Sequence, residues 1–130
     1  MQNFLLLSLA LLISPIFADF SEVPFGNAGV AVPGLAVGDF NADGLPDVVL
    51  THRLLGEVIV GLNRGNASPG FIETALTGLP NPLYVTTGDV DRDGDCDLVA
   101  GSATDGMIML WRNEGGEPLA WTAEAISMLS

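Results

Sequence analysis

Apolar residues in this chain fall in short runs, and each run stops at glycine, proline, asparagine or aspartate. Runs of that length, bounded by turn formers, predict strands. In order they are Phe20–Pro24, Leu35–Asp39, Asp47–His52 and Glu57–Asn63, then Phe71–Leu76, Tyr84–Asp89, Asp97–Ser102 and Met107–Arg112. Val48-Val49-Leu50 and the stretch from Met107 to Trp111 are continuous rather than alternating, as expected of strands covered on both faces. The segments between them, such as Gly78 to Pro82 and Arg64 to Gly70, carry the breakers of loops. No window of eleven or more residues after Ala18 has a helical period.

The strands recur. Sliding the chain on itself by fifty residues brings Gly38-Asp39 onto Gly88-Asp89, Asp43-Gly44 onto Asp93-Gly94, and Asp47-Val48-Val49 onto Asp97-Leu98-Val99. Gly56 meets Gly106, and Asn63-x-Gly65 meets Asn113-x-Gly115. A period of this length marks a propeller, a solenoid or an array. Four strands per unit with both faces covered describe a propeller blade. A parallel β-helix would want a shorter rung, and a helical array would need amphipathic stretches. The expected fold is therefore all-β, with propeller-type blades of four antiparallel strands. Residues 19–70 form a first blade, 71–118 a second, and 119–130 open a third. Closed propellers have four to eight blades, so the expectation is a partial propeller. It would be completed by further blades of a longer chain or by self-association.

The charge changes the picture. Sixteen acidic residues stand against four arginines, with no lysine, for a net charge of −12. That balance argues against nucleic acid and anionic membrane surfaces as partners. Eight of the acids sit in the two repeated loops, five of them between Asp89 and Asp97. Such crowding repels itself unless a cation neutralises it. Numbering each loop from its first aspartate puts side-chain oxygens at positions one, three, five and nine, and a glycine at six. The first loop offers Asp39, Asn41, Asp43, the carbonyl of Leu45, and Asp47. The second offers Asp89, Asp91, Asp93, the carbonyl of Asp95, and Asp97. Calcium takes six to eight oxygens at about 2.3–2.6 Å, which a tight loop of this kind supplies. No histidine or cysteine cluster suits zinc. The acid that an EF-hand carries at position twelve is replaced by Leu50 and Ala100, and a strand follows instead of a helix. The expectation is two calcium sites, structural in role.

At the amino end, the uncharged block Phe4 to Leu12, the break at Ser14-Pro15 and the small residue Ala18 predict a secretory signal over residues 1–18. The block is shorter than the roughly 20 apolar residues of a spanning helix. A secreted, extracellular protein follows, with no membrane insertion after cleavage. One cysteine, Cys96, excludes a disulfide framework. It stands where Pro46 stands in the first loop, so its presence there is incidental.

The pattern D-x-[DN]-x-D-G-x-x-D, preceded by glycine and followed by an apolar strand, resembles the FG-GAP/VCBS repeat over about residues 20–126. That family includes the calcium-bearing blades of integrin α-subunit propellers. The resemblance implies a blade of about fifty residues with calcium in the loop between neighbouring strands. It also implies an extracellular module for recognition of protein or carbohydrate, or for adhesion.

The rival is a piece of a larger secreted propeller enzyme acting on polysaccharide. A third possibility is a purely architectural piece of a larger propeller. No catalytic constellation is found: there is no Gly-x-Ser-x-Gly elbow, no Walker loop and no paired histidines. His52 is the lone histidine, and beside Arg53 it reads as a solvated strand end. Trp111 and Phe71 lie in apolar strands and read as core. Tyr84 follows Asn-Pro-Leu and is the better sugar platform. Asn66-Ala-Ser68 matches a glycosylation acceptor, weakened by Pro69.

Overall fold

The computed structural model describes residues 32–65, 67 and 70–127. The signal at 1–18, the strand at Phe20–Pro24, and Asn66 and Ser68 of the acceptor site lie outside the described residues. Eight strands follow one another: β1 (Leu35–Gly38), β2 (Asp47–His52), β3 (Glu57–Asn63), β4 (Phe71–Leu76), β5 (Pro82–Gly88), β6 (Asp97–Ser102), β7 (Ile108–Asn113) and β8 (Trp121–Ser127). They form two antiparallel four-stranded meanders, β1-β2-β3-β4 and β5-β6-β7-β8. The described residues include no helix, and so none long and apolar enough to cross a membrane. The fold is all-β with propeller-type blades, as the strand pattern predicts.

The grouping of the strands departs from the expected units. Phe71–Leu76, read as opening a second unit, pairs with β3, Val58 opposite Leu76 and Asn63 opposite Phe71, and closes the first sheet. The tail, read as opening a third unit, pairs with β7, Asn113 opposite Trp121, and closes the second. A repeat period sets the spacing of equivalent residues but not its phase, so a cut at Phe20 and a cut at Leu35 fit the sequence equally well. Hydrogen bonding chooses the second.

Pleating sends alternate side chains to opposite faces. In the first sheet Val49 lies opposite Val60, and Val58 opposite Leu76. In the second, Leu98 lies opposite Trp111, and Ala100 opposite Met109. These two sets face each other and, with Phe40 and Leu79, make one buried cluster. Trp111, 2% exposed, is its largest member. Contact between the sheets is closest at their first strands, where β1 and β2 lie against β5. A Cβ on Gly34 would stand 2.8 Å from the Leu83 carbonyl oxygen and 3.2 Å from the Val85 nitrogen, so only glycine fits. The Thr87 hydroxyl donates to the Val37 carbonyl at 3.0 Å and ties the two first strands together.

Two substitutions test this packing. Trp111→Ala should cost about 3–5 kcal/mol in denaturant unfolding, the usual range for emptying a large aromatic site. Gly34→Ala should also lower the melting temperature, because the clash is with backbone that cannot rotate away.

Candidate metal centre

Each acidic loop joins the first two strands of its sheet, residues 39–46 before β2 and 89–96 before β6. Both turn through the same backbone geometry. Position four is left-handed although it is not glycine, at φ 58° for Ala42 and 65° for Arg92. Position six follows at 83° for Gly44 and 97° for Gly94. A left-handed residue with a Cβ costs roughly 1–2 kcal/mol, and both loops bear that cost at the same place.

The loop amides are gathered inward onto side chains. Asp39 accepts from the N–H of Asp43 at 3.1 Å and of Gly44 at 2.9 Å, and Asp89 accepts from Asp93 at 3.1 Å and Gly94 at 3.0 Å. Asn41 and Asp91 each accept from the position-five amide at 3.3 Å. Asp43 and Asp93 accept from the N–H of Leu45 at 2.8 Å and of Asp95 at 2.9 Å. Asp47 and Asp97, at position nine, are fully buried. One oxygen of Asp47 accepts from the Phe40 N–H at 2.8 Å and the other from the Asn63 N–H at 2.8 Å. Asp97 does the same with Val90 at 2.7 Å and Asn113 at 2.9 Å.

Two residues were missed as part of this centre. Asn63 and Asn113 end the third strand of each sheet, and their amides lock the loop from behind. Asn63 donates to the Pro46 carbonyl at 3.0 Å, and Asn113 to the Cys96 carbonyl at 3.3 Å. Their own oxygens accept from Gly65 at 2.8 Å and Gly115 at 2.9 Å. The signal was the Asn-x-Gly pair recurring at the period of fifty, which sequence reasoning aligned without giving it a task.

The candidate ligands are not all brought together equally. Asp89, Asp91 and Asp97 each place a carboxylate oxygen within 4.8 Å of the others. Asp93 and Asp95 lie outside that group. In the first loop the position-three residue is Asn41, whose amide donates to the Asp43 carboxylate at 3.0 Å. That bond offsets part of the acid crowding. The second loop has Asp91 in that place, with no such donor. Leu45 and Asp95, assigned through their carbonyls, hold position seven with their N–H groups tied to position five.

Electrostatics follow the geometry. Burial pushes the Asp47 carboxyl above its usual 3.8, opposed by the amides of Asn63 and Phe40 and reinforced by Asp43 and Asp39. Asp91 is also pushed above 3.8, first by loss of surrounding water and then by the like charges of Asp93 and Asp97, against the Asp93 amide. Two opposite oxygens of one calcium ion stand about 4.6–5.2 Å apart, so three carboxylates within 4.8 Å of one another fit a single hard cation. The donor set is all oxygen, which suits calcium or magnesium rather than a soft metal.

The remaining candidates fall as follows. His52 is buried, 3% exposed, and not the solvated strand end expected of it. Its Nδ1 accepts from the Leu55 N–H at 3.2 Å, while its Nε2 has no partner among the described residues. Burial pushes the Cys96 thiol up, and its sulfur fills the space beside Gly38. Trp111 is core as expected, and Phe71 is half-buried. Tyr84 is 69% exposed and lies in β5, within the strand expected from Tyr84 onward. A cleft of about 710 Å³ opens between the outer strands of the first sheet and the β7–β8 connection, with Trp121 and Thr74 in its lining. Asn41 and Asp43 reach its edge.

Two outcomes are expected without any divalent ion. Ala42→Gly should raise stability by about 1 kcal/mol, by releasing the left-handed strain. Asp97→Ala should lower it by about 3 kcal/mol in urea unfolding, since the buried Asn113 amide and the part-buried Val90 amide lose a charged acceptor worth about 1.5–3 kcal/mol each.

Comparison with known proteins agrees with the geometry. Residues 39–100, which contain both loops, match the family of the FG-GAP-like repeat. Human integrin alpha-7 is 33% identical over 84 aligned residues, covering 55% of this chain. The chain spans 7% of the length of that integrin. No solved structure matches. Two four-stranded sheets each bear the same acidic loop between their first strands, and residues 39–100, which carry both loops, are similar to the FG-GAP-like repeat.

Proposed function

We propose that this protein is a secreted, calcium-binding propeller module for extracellular recognition of a protein or carbohydrate, and that it is not an enzyme. The observation that carries the calcium assignment is the convergence of Asp89, Asp91 and Asp97 within 4.8 Å, in a loop whose geometry the first blade repeats. Asp89, Asp91, Asp93, the Asp95 carbonyl and Asp97 hold one ion, and Asp39, Asn41, Asp43, the Leu45 carbonyl and Asp47 hold another. The ion's task is structural. It neutralises the loop and holds a backbone turn that is strained at Ala42 and Arg92.

The recognition role rests on the likeness to integrin alpha-7 and on the inter-blade cleft, which has the size of a small-ligand site. Secretion rests on the leader at residues 1–18. Further blades, from a longer chain or from a second copy, complete the ring.

Calcium should raise the melting temperature of the chain, and Asp93→Ala should remove most of the part of that shift owed to the second loop. An equal shift in the variant would remove Asp93 from the ligand set.

Calcium affinity should weaken as pH falls from 7 into the acid range just above 3.8. Protons compete for Asp47 and Asp91 at higher pH than for ordinary carboxylates, because both are raised above 3.8. The cation-free chain should behave in the opposite sense. A carboxyl raised by folding favours the folded state below its folded pKa and loses that contribution as pH rises through the window above 3.8. Calcium titrations at pH 7 and in that acid range, with melting curves of the ion-free chain, read both signs.

A further inference from the structure

The two loops are joined by a bond that the repeat does not require within one blade. Asn63 donates its amide to its own loop at Pro46. Asn113 donates to its own loop at Cys96, and also at 2.7 Å to the carbonyl of Phe40 in the loop of the other blade. The Phe40 carbonyl belongs to the peptide that leads into Asn41, position three of the first loop. The Phe40 N–H is held by Asp47, and the Asn113 N–H by Asp97.

A continuous path of three hydrogen bonds therefore runs from Asp97 through Asn113 and Phe40 to Asp47, at 2.9, 2.7 and 2.8 Å. Its four residues are at most 2% exposed. Water does not compete for these bonds, and each is electrostatically stronger in a low-dielectric interior than it would be in water. A second contact reinforces the path. Trp121 is the cross-strand partner of Asn113, and its ring packs edge-on against Phe40, centroids 6.0 Å apart at 67°. Phe40 is thus gripped by the second blade at both its carbonyl and its ring.

We infer that Asn113 couples the two acidic loops, so that a cation ordering one loop strengthens binding at the other. The inference rests on the calcium reading above and adds to it a link between sites. An ion in the second loop fixes Asp97 and, through it, the end of β7. That holds the Asn113 amide on the Phe40 carbonyl and preorganises the entry to the first loop. Coupling is reciprocal in free energy, so filling the first loop strengthens the second by the same factor. Asn113 is a positioning residue here, since its side chain reaches no candidate ion directly.

Calcium titration calorimetry on the full chain tests this. The affinity of the first loop is read in the parent chain and in Asp93→Ala, where the second loop is disabled. Coupling predicts about a fivefold or greater loss in Asp93→Ala. In an Asn113→Asp background, which keeps the oxygen that serves Gly115 but removes the donor, Asp93→Ala should make no further difference. Equal first-loop affinity in the parent and in Asp93→Ala would overturn the inference.

If Asn113→Asp does not fold, Asp43→Ala decides, because it leaves the bridge intact and only the second loop to fill. Adding calcium should then slow amide hydrogen exchange at Phe40 and Asn41, and unchanged exchange there overturns the coupling. If no chain takes up calcium, the calcium reading fails, and the coupling of ion sites falls with it. The bridge itself is still read in the ion-free chain, where Asn113→Asp should speed exchange across residues 40–44.

Discussion

A carboxylate buried at the ninth position of each loop is the constraint on which the rest of the structure depends. Asp47 and Asp97 have no exposed surface, and each divides its two oxygens between two backbone amides. One amide comes from the second residue of the loop and the other from the end of the third strand. A single side chain therefore sets where the loop starts, where β2 or β6 begins, and where β3 or β7 ends. An unpaired charge so placed would cost several kcal/mol, and the paired one specifies the blade.

The same economy explains why the loops are both strained and acidic. Turning the amides of positions five and six onto position one requires left-handed backbone at positions four and six, and only position six is glycine. The oxygens gathered by that turn crowd one another, and Asp91, raised first by loss of water, is raised further by the charges of Asp93 and Asp97, where the first loop has the amide that Asn41 extends to Asp43. On the calcium reading proposed above, a cation would relieve the crowding and reward the turn in one step. The two loops then differ in how much they need it. The first is partly neutralised by its own asparagine, whereas the second holds three converging carboxylates.

Between the blades, packing and polarity work together. The apolar faces meet through Val49, Val58 and Val60 on one side and Leu98, Met109 and Trp111 on the other. Polar bonds then set the register of one blade on the next, from Thr87 to Val37 near the first strands and from Asn113 to Phe40 at the loops. Hydrophobic contact alone is non-directional, so the directional bonds decide how the sheets meet. The acidic loop of the first blade and the blade interface share Phe40, held by Asp47 at its N–H and by Asn113 at its carbonyl.

Much of this was legible in the sequence. Strand bounds at Asp47–His52, Glu57–Asn63, Phe71–Leu76 and Asp97–Ser102 coincide with those observed, because continuous apolar runs between aspartate and glycine stops leave little freedom. The alternate oxygens of the loops were equally plain, since loop chemistry is local and written in consecutive residues. Tertiary structure decided the phase of the repeat, moving Phe71–Leu76 to the first sheet and the tail to the second, because a period has no origin until strands pair. It also decided the burial of His52 and the tasks of Asn63 and Asn113, sixteen residues beyond the aspartates they serve. Local sequence states which groups are present. Which amide meets which carboxylate depends on strands returning antiparallel, and in the case of Asn113 on a neighbouring blade that approaches only once both sheets have formed.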